Sequence, residues 1–416
     1  MPAGAQNPLA DKRILVAISG SIAAVKVPQL VSALVQLGAQ VRCLLTPSAA
    51  QLVSATALAS LSRNHCHTDS DQWLASQPRP LHIELGEWAE LILVVPLSAT
   101  SLARLVYGLA DNLLASTLLA SEAPRLMAAA MNTSMWQAIA VQRNWQLLQA
   151  EPKVLALPPS RLGLLACDRR GAGRMREPAQ LLVAAESLAI RGAVQDLKGV
   201  RLLITAGPSR EALDPARYIS NPSTGRMGVT TALAAQWRGA EVKLIHGPLK
   251  LEEGLLEGLD CLPFTSAAEL QSLLHQHQPW ADGVVMAAAV SDHRLSRSNP
   301  GKLTKSALQQ QFLQPSCWEI VPDLLHEMVQ KRPKGQVLVG FCAYSGEGLD
   351  QAQQKLQEKG CDLLFANPID QANAGFEALT NQGWLLQQGQ EPLRLGPGSK
   401  LTIGHQLLNH WHKCWR

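Results

Sequence analysis

Short apolar runs alternate with helix-forming stretches along nearly the whole of this 416-residue chain. The first pair is an apolar run over Arg13–Ser19, a break at Gly20-Ser21, and helical spacing over Ile22–Leu37. Strands that alternate with helices predict a parallel sheet with helices on both faces. A chain of this length exceeds one ordinary domain. We therefore predict an α/β fold built from two tandem, three-layer Rossmann-like domains.

The predicted elements fall into two series separated by a polar connection. In the first series, further strands and a closing helix are predicted at Val41–Leu45, Leu91–Val95, Arg125–Ala129 and Pro178–Ile190, with a Gly- and Arg-rich loop over Pro158–Glu177. In the second, strands are predicted near Val200–Ala206, Val242–Ile245, Gly283–Ala288, Val337–Phe341 and Asp362–Ala366. The helices predicted there are Gly225–Arg238, Ala267–His275, Pro322–Lys331 and Leu349–Lys359, followed by a hairpin over Phe376–Leu395 and a last helix after Ser399. We expect a first domain over residues 1–190, a linker over 191–199 and a second domain over 200–416.

Composition excludes several classes of protein. Hydrophobic residues make up 47% and charged residues 17% of the chain, which argues against wholesale disorder. The net charge of +4 is small for this length, so nucleic-acid binding is not expected. The chain shows no secretory h-region and no apolar run of membrane-spanning length, so no membrane association is expected. The eight cysteines form no CxxC pair, which predicts neither a zinc site nor a disulfide framework and favours a reducing cytoplasm.

Four features of the first half have residue types that suit catalysis, and each also has an ordinary explanation. The turn Ser19-Gly20-Ser21 lets an anion approach the backbone between a strand and a helix, but a simple βα turn has the same composition. His82 lies just before a predicted strand, where a packed histidine is more common than a catalytic one. Asn132 follows the strand Arg125–Ala129, at the sheet edge where ligands bind, although it also suits a helix N-cap. Cys167 lies in the Gly-rich loop among arginines that stabilise a thiolate, although a spare cysteine is the simpler alternative.

The centre of the chain has a second strand–loop–helix pattern. The apolar run Leu202–Ala206 leads through Gly207-Pro208 into a polar loop, and a helical pattern begins after Ser223-Thr224-Gly225. Arg210 and Arg217 add guanidinium groups that suit phosphate or carboxylate. Farther on, Asp292, Lys302 and Lys305 follow another apolar run, but loop lysines are more often solvated charges than phosphate ligands. The chain has no GxxxxGK[ST] segment, so a P-loop enzyme is not expected.

Taken in order, these motifs resemble known families. The segments SGSIAAVK, HIELGEWAE, AAMNTSMW and ACDRRGAGRM resemble the flavin-dependent cysteine decarboxylases, in particular phosphopantothenoylcysteine decarboxylase. The segment LDPARYISNPSTGRMG resembles phosphopantothenate–cysteine ligases. From about Lys12 to the C-terminus, the chain is similar to the bacterial bifunctional family that fuses these two steps of coenzyme A synthesis.

For the first half, the resemblance implies a flavodoxin-like flavoprotein decarboxylase domain that binds FMN. The implied FMN-binding residues are Gly20, Ser21, Ile22, Thr46 and Ser98. Oxidation of the substrate thiol to a thioaldehyde precedes loss of CO2 in this chemistry, and the protein orients the substrate and manages protons. His82 is implied as the base, Asn132 as the residue that holds the substrate carboxylate, and Cys167 as the proton donor.

For the second half, the resemblance implies a ligase that activates 4'-phosphopantothenate with CTP and Mg²⁺ through an acyl-cytidylate, which the amine of cysteine then attacks. Asn221 and Lys302 are implied in catalysis, Arg217 and Asn221 in substrate binding, and Asp292 in metal binding. The implied nucleotide-binding residues are Met286, Ala287, Ala288, Asp292, Lys302, Pro322, Asp323, Leu324, Leu325, Phe341, Lys355 and Lys359. Lys355 and Lys359 share one face of a predicted helix, as two residues that reach one ligand would.

The chain departs from the family pattern at four positions. Ala129 replaces a Pro, Asp168 a Gly after the cysteine, Val321 a polar residue, and Tyr344 a Glu. The Asp in place of Gly restricts the loop and disfavours a thiolate, so the loop around Cys167 is where we expect the geometry to differ.

The resemblance also implies homo-oligomers: trimers of the flavin domain, up to a dodecamer, with dimers of the ligase domain. Three alternatives remain open from the sequence. The first is a flavin-dependent decarboxylase of another cysteine-containing substrate, with an inactive ligase half. The second is a non-catalytic FMN-binding regulatory module. A nicotinamide dehydrogenase is weaker, since neither half contains GxGxxG.

Overall fold

A computed structural model of the chain describes residues 7–76, 78–161, 163, 171–346, 348–371 and 373–415. The chain forms two compact units. The first unit extends to Val194 and also includes Glu252–Gly258, whereas the second comprises Gln195–Leu251 and the chain from Leu259 onward. Cys167 and Asp168 lie outside the described residues, so their predicted roles stay predictions.

A six-stranded parallel sheet forms the centre of the first unit, in the order β3-β2-β1-β4-β5-β6. Its strands are β1 (Arg13–Ile18), β2 (Gln40–Leu45), β3 (Cys66–Thr68), β4 (Leu91–Leu97), β5 (Arg125–Ala129) and β6 (Val154–Leu157). Its helices are α1 (Val27–Gln36), α2 (Pro47–Ala50), α3 (Ala55–Ser62), α4 (Leu81–Trp88), α5 (Ala99–Val106), α6 (Leu113–Leu119), α7 (Thr133–Gln137), α8 (Ile139–Ala150) and α9 (Pro178–Arg191). All seven residues of β4 are buried, as expected of a central strand covered by helices on both faces.

An eight-stranded sheet forms the centre of the second unit, in the order β11-β10-β7-β12-β15-β16-β17-β18. The strands of the second unit are β7 (Arg201–Ala206), β8 (Arg210–Asp214), β9 (Arg217–Ser220), β10 (Glu241–His246), β11 (Asp260–Pro263), β12 (Gly283–Met286), β13 (His293–Leu295), β14 (Trp318–Ile320), β15 (Val337–Tyr344), β16 (Leu363–Pro368), β17 (Thr380–Gln387) and β18 (Leu393–Ser399). Its helices are α10 (Arg226–Trp237), α11 (Ala267–His277), α12 (Lys305–Leu313), α13 (Leu324–Lys331), α14 (Leu349–Lys359) and α15 (Lys400–Trp415). The sheet is parallel from β11 to β16, and β17 and β18 extend it in antiparallel fashion.

These two units confirm the predicted α/β class and its tandem arrangement. The prediction was wrong in some local details. The polar loop after Gly207 contains the β8–β9 hairpin, and the helix predicted over Ile22–Leu37 begins as a 3₁₀ turn over Ile22–Lys26. His82 precedes β4, as predicted, and it lies in the first turn of α4. Among the helices of the described ranges, none combines the length and the apolar character needed to cross a bilayer.

Candidate active sites

The first cleft lies at the carboxyl ends of β1, β4 and β5. The chain order reverses between β1 and β4, and open α/β sheets bind ligands at such a switch point. The cavity measures about 480 Å³. It is lined by the segments that follow the three strands, which are residues 20–23, 98–100 and 130–132, together with Val25, Lys26, Met135 and residues 173–175.

Hydroxyl groups connect the two loops at the switch point. Ser19 Oγ donates to the Pro96 carbonyl at 2.7 Å and accepts from the Ser98 N–H at 2.8 Å. Ser98 also caps α5, and Thr46 caps α2. An adjoining cavity of about 280 Å³ contains Thr46 and shares Gly20 and Ser98 with the first cleft. The structure therefore brings together all five residues predicted to bind FMN.

Gly20 is required at this point for steric reasons. A Cβ atom on Gly20 would lie 2.4 Å from Cβ of Ser48, which is closer than two carbon atoms can approach. The end of β1 and the start of α2 therefore meet without a side chain between them, and the backbone of the turn faces the cavity. This close approach suits a site that holds a phosphate by backbone N–H groups.

Two of the residues predicted to react with the substrate, Asn132 and His82, are described, and they have different positions. Asn132 lines the first cleft and caps α7, where its Oδ1 accepts from the Ser134 N–H at 2.8 Å. Asn132 therefore caps a helix at the cleft wall, and its role as a ligand for the substrate carboxylate stays a prediction. His82 is half-buried near the N-terminus of α4, and it is not among the described residues that line either cavity of the first unit.

The second cleft lies at the carboxyl ends of β12, β15 and β16, beside the N-terminus of α10. Its sheet reverses chain order between β7 and β12, so this cleft also lies at a switch point. The cavity measures about 350 Å³ and includes five of the predicted residues, which are Asn221, Ala287, Ala288, Phe341 and Lys355.

Hydrogen bonds fix the wall of the second cleft. Asn221 Nδ2 donates to the Val290 carbonyl at 3.1 Å. The Ala288 N–H donates to Thr205 Oγ1 at 3.0 Å, and the Ala289 N–H donates to the Gly207 carbonyl at 2.9 Å. The segment after β12 is thus tied both to the end of β7 and to Asn221.

Gly225 shapes the entrance to α10. Its φ of +80° lies in the left-handed region, and a Cβ atom there would lie 2.1 Å from Leu249 Cδ2. Only glycine fits both requirements. The residues from Ser223 to Gly228 line the cleft, so the first backbone N–H groups of the helix lie beside it, as in other anion sites of α/β proteins.

Two cations of the second cleft were missed by the sequence analysis, namely Lys400 and Arg226. Lys400 begins α15, where the helix dipole disfavours a positive charge, and it is only 3% exposed. Its Nζ donates to the carbonyls of Gly375 at 2.9 Å and Phe376 at 3.0 Å. Burial, with Arg226 nearby, lowers the pKa of Lys400 to about 8. A buried cation beside a second cation is costly unless it serves an anion, so this wall suits a phosphate group.

Replacing Lys400 by Met is expected to raise the KM of a phosphate-bearing ligase substrate about tenfold or more, because a hydrogen bond to a charged group contributes about 1.5–3 kcal/mol.

The Lys400→Met variant should also lose a pH effect on the free energy of unfolding. Since the pKa of Lys400 is about 8 in the folded protein and lies near its ordinary 10.5 in the unfolded chain, the unfolded chain binds more protons between those values. The free energy of unfolding should therefore rise from pH 8 to 10.5 in the unaltered protein, as measured by chemical denaturation. Lys413→Met, on the same helix and exposed, is the control; an equal rise in Lys400→Met would contradict this expectation.

Several other predicted ligase residues lie outside the described lining of the second cleft. Met286, Leu324 and Leu325 belong to or pack against the hydrophobic core. Lys359 Nζ forms an ion pair with Asp323, which also caps α13, whereas Lys355, one turn earlier, faces the cleft. Asp292, Lys302 and Pro322 are exposed.

Arg217 is held by an aspartate in the β8–β9 hairpin. Asp214 accepts from Arg217 Nε at 3.0 Å and from the Leu303 N–H at 3.1 Å, and Arg217 Nη2 donates to the Leu303 carbonyl at 2.7 Å. The hydrogen bond from Arg217, with others from backbone N–H groups, lowers the pKa of Asp214 to about 2. Both backbone groups of Leu303 are therefore fixed, and so is the position of its neighbour Lys302.

Replacing Asp214 by Asn should release the Lys302 loop. We expect the KM for the nucleotide in ligation to rise about tenfold, since charged hydrogen bonds that fix this loop are lost. Decarboxylation of supplied phosphopantothenoylcysteine should not change. Because the pKa of Asp214 is depressed in the folded state, its stabilising effect should be present above about pH 4 and lost as the pH falls towards 2. Steady-state kinetics of both reactions, with exposed Asp260→Asn as the control, would test this; an unchanged nucleotide KM would contradict it.

The two units thus define a two-domain α/β protein with a separate ligand cleft at the switch point of each sheet. Residues 3–188 match the family model described as Flavoprotein, and residues 197–414 match the one described as DNA/pantothenate metabolism flavoprotein C-terminal domain. The chain belongs to the family of bifunctional coenzyme A biosynthesis proteins.

The similarity extends along almost the whole chain. This chain is 35% identical over 411 residues to the coenzyme A biosynthesis bifunctional protein CoaBC of Bacillus subtilis (strain 168), and the match covers 96% of each chain. The corresponding protein of Escherichia coli (strain K12) is 35% identical over 403 residues, covering 96% of this chain and 97% of its own. A solved structure of the C-terminal domain of such a protein is 30% identical, with a TM-score of 0.43, and covers 52% of this chain and 98% of its own.

These findings confirm the predicted enzyme class, a phosphopantothenoylcysteine decarboxylase joined to a phosphopantothenate–cysteine ligase that catalyses two steps of coenzyme A biosynthesis. Neither the inactive-ligase alternative nor the non-catalytic alternative is favoured. The match of the first half to the flavoprotein family also supports the predicted flavin cofactor.

Proposed function

We propose that the second cleft joins 4'-phosphopantothenate to cysteine with CTP, through an acyl-cytidylate, and that the first cleft decarboxylates the product to 4'-phosphopantetheine with FMN. One observation carries this proposal: each unit has its own cleft at a switch point, and predicted residues of the corresponding reaction line it. We also propose the domain limits 1–190 and 200–416, with the linker at 191–199. A cytoplasmic location is proposed too, consistent with the free state of all the cysteines in the described residues.

The first cleft fits FMN. Its cavity of about 480 Å³ combines the small turn at Gly20 with the hydroxyl groups of Ser21, Ser98 and Thr100, as a phosphate and a ribityl chain require. Its apolar side chains, Ile22, Val25, Met131 and Met135, suit a flat aromatic ring system. FMN, when bound, supplies the two-electron oxidation and reduction that this decarboxylation needs.

The protein groups of the first reaction would orient the substrate and move protons. Asn132 would hold the substrate carboxylate from the cleft wall, and Cys167 would donate a proton from the loop that follows. Since His82 lies outside the described lining of the cleft in its own chain, we propose that it acts on the cleft of a neighbouring subunit. This arrangement agrees with the proposed trimer-based assembly, up to a dodecamer with paired ligase domains.

In the second cleft, the backbone of Ala287 and Ala288 would contact the nucleotide base, beside Phe341. Lys355, Lys400 and Arg226 would neutralise phosphate charge, and Asn221 would hold the acyl-cytidylate. Mg²⁺ usually keeps water ligands and binds through one or two carboxylates plus substrate phosphates, so a single exposed Asp292 suits it. Lys302 would reach the nucleotide once it is bound, and Arg217 would help to position 4'-phosphopantothenate or its acyl-cytidylate.

Incubation with 4'-phosphopantothenate, cysteine and one nucleotide at a time tests this proposal. The purified protein should be yellow, and CTP should give CMP and 4'-phosphopantetheine, both detected by mass spectrometry. UTP and ATP should give far less product. A colourless protein that FMN does not reconstitute, or a ligation that yields a nucleoside diphosphate instead of CMP, would contradict the proposal.

A further inference from the structure

Three potential metal ligands lie together at an edge of the first sheet, outside both clefts. His65 precedes β3, His67 lies within it, and Asp71 belongs to the 3₁₀ turn over Asp69–Trp73 that follows. One ligand atom from each of the three side chains lies within 4.8 Å of the other two. The catalytic roles proposed above use none of the three.

The pattern of the strand explains how two histidines share this position. Side chains alternate along a strand, so His65 and His67 lie on one face and Cys66 lies on the other. Leu44 of β2 is the register partner of His67, and Cys43 that of Cys66. The two thiols are buried. The cluster therefore offers imidazole nitrogen and carboxylate oxygen without a thiolate.

His67 carries the evidence for a ligand. Its side chain is buried, with the residue only 8% exposed, and its Nδ1 atom is inaccessible and has no hydrogen-bond partner. Burying a polar atom in this way costs free energy unless something satisfies it. A neutral imidazole has the lone pair that a metal requires.

Asp71 is already oriented towards the histidines. Its Oδ2 accepts from the Thr68 N–H at 2.6 Å and lies 3.4 Å from His65 Nε2. Hydrogen bonds to a ligand carboxylate are typical of metal centres, where they fix the orientation of the ligand. The His65 ring, whose side chain is 66% exposed, meets the His67 ring edge to face at a centroid distance of 4.9 Å.

We propose that His65, His67 and Asp71 bind a divalent first-row transition metal, with Zn²⁺ the best match. Two imidazoles and one carboxylate are a ligand set that Zn²⁺ accepts, leaving a fourth position for water, whereas Mg²⁺ prefers oxygen ligands alone. Tetrahedral Zn²⁺ separates its ligand atoms by about 3.3 Å, given bonds of about 2.0 Å. The three ligand atoms already lie within 4.8 Å of one another, so binding needs only small side-chain rotations, and the exposed His65 side chain is free to rotate.

Titration of the full-length, chelator-treated protein with Zn²⁺ in a calorimeter tests the site, with Mg²⁺ as the comparison ion. We expect one Zn²⁺ per chain, no comparable binding of Mg²⁺, and a Tm that rises with Zn²⁺ concentration. His65→Gln and Asp71→Asn should each weaken Zn²⁺ binding roughly 100-fold, because each removes one of three ligands. His326→Gln, at an exposed position in the second unit, is the matched control and should bind as the unaltered protein does.

Two further measurements show whether the His65→Gln variant is folded and which kinds of atom bind the metal. His65 is exposed, so His65→Gln should keep its FMN content and its Tm without metal, and a loss of binding then reports on the ligand rather than on folding. Co²⁺ in place of Zn²⁺ should give a visible spectrum without a thiolate charge-transfer band, as nitrogen and oxygen ligands require. Equal Zn²⁺ affinity in the unaltered protein and His65→Gln, no Zn²⁺ binding at all, or a thiolate band with Co²⁺ would each overturn the proposal.

Discussion

Replacing His82 by Asn is expected to lower the rate of CO2 release by a factor of about 10²–10⁴, the usual contribution of a general acid or base. Ligation should stay within about twofold of its original rate, since the second cleft uses none of the residues of α4. Asparagine keeps a hydrogen-bonding side chain of similar size but cannot exchange a proton near neutral pH. Phosphopantothenoylcysteine should therefore accumulate, and mass spectrometry of the reaction mixture would detect it.

Glu87→Gln is the matched control for the histidine variant. Glu87 lies on the same helix, where it is exposed and pairs with Arg79. This change should leave both reactions intact, so a defect specific to His82→Asn would not come from damage to α4. Loss of ligation together with decarboxylation in His82→Asn would mean that the two sites are not separable.

Replacing Lys302 by Gln should have the opposite effect. We expect CTP-dependent ligation to fall by about 10²–10³, as when one fixed group that stabilises transition-state charge is removed. Decarboxylation of supplied phosphopantothenoylcysteine should not change. The side chain of Lys302 is exposed, but Asp214 and Arg217 hold the backbone of the next residue, so the lysine has a fixed base from which to reach a bound triphosphate.

The variant Lys305→Gln tests whether the loss of ligation is specific to Lys302 or follows from removing any positive charge in the same segment. Lys305 is also exposed and begins α12, three positions farther along the chain. Its replacement should change the ligation rate little, because surface charges contribute weakly. Initial rates of CMP release would compare the two variants; equal rates for Lys302→Gln and the unaltered protein would exclude the phosphate contact.

The central parallel strands were predictable because burial on both faces makes them nearly continuous apolar runs. The strands at Arg13–Ile18, Leu91–Leu97 and Arg201–Ala206 follow this rule. Short strands at the sheet edges were missed. Cys66–Thr68 and Asp260–Pro263 have only three and four residues, with polar side chains among them, so they give too little periodicity to identify.

The β8–β9 hairpin was missed for a related reason. Its sequence, REALDPARYIS, is polar and charged, and two of its charged side chains, Asp214 and Arg217, bind each other. That pair also forms hydrogen bonds to Leu303, far along the chain. No local pattern contains this information, so the sequence predicted Arg217 as a ligand group without indicating its pairing with Asp214.

The candidate sites were predictable where function is local. Gly20 and Asn132 each follow a strand of the first parallel sheet, and parallel strands end at the same edge of a sheet. Asn221 follows β9 of the missed hairpin, and only the family resemblance indicated it. Lys400 was not predictable, because it begins the last helix of the chain and reaches the second cleft only through the fold. The pairing of Lys359 with Asp323 was equally hidden, since the family resemblance implied the same role for Lys355 and Lys359 and their shared helix face agreed with it.

Mixing the variants His82→Asn and Lys302→Gln, each of which lacks one of the two activities, is the most direct test of whether the two clefts catalyse their reactions separately. Neither His82→Asn nor Lys302→Gln alone should convert 4'-phosphopantothenate, cysteine and CTP to 4'-phosphopantetheine at an appreciable rate. An equimolar mixture should restore the conversion, because the product of one intact cleft diffuses to the intact cleft of the other variant. A mixture that stays as inactive as its components, although each variant retains its one expected partial reaction, would contradict this account.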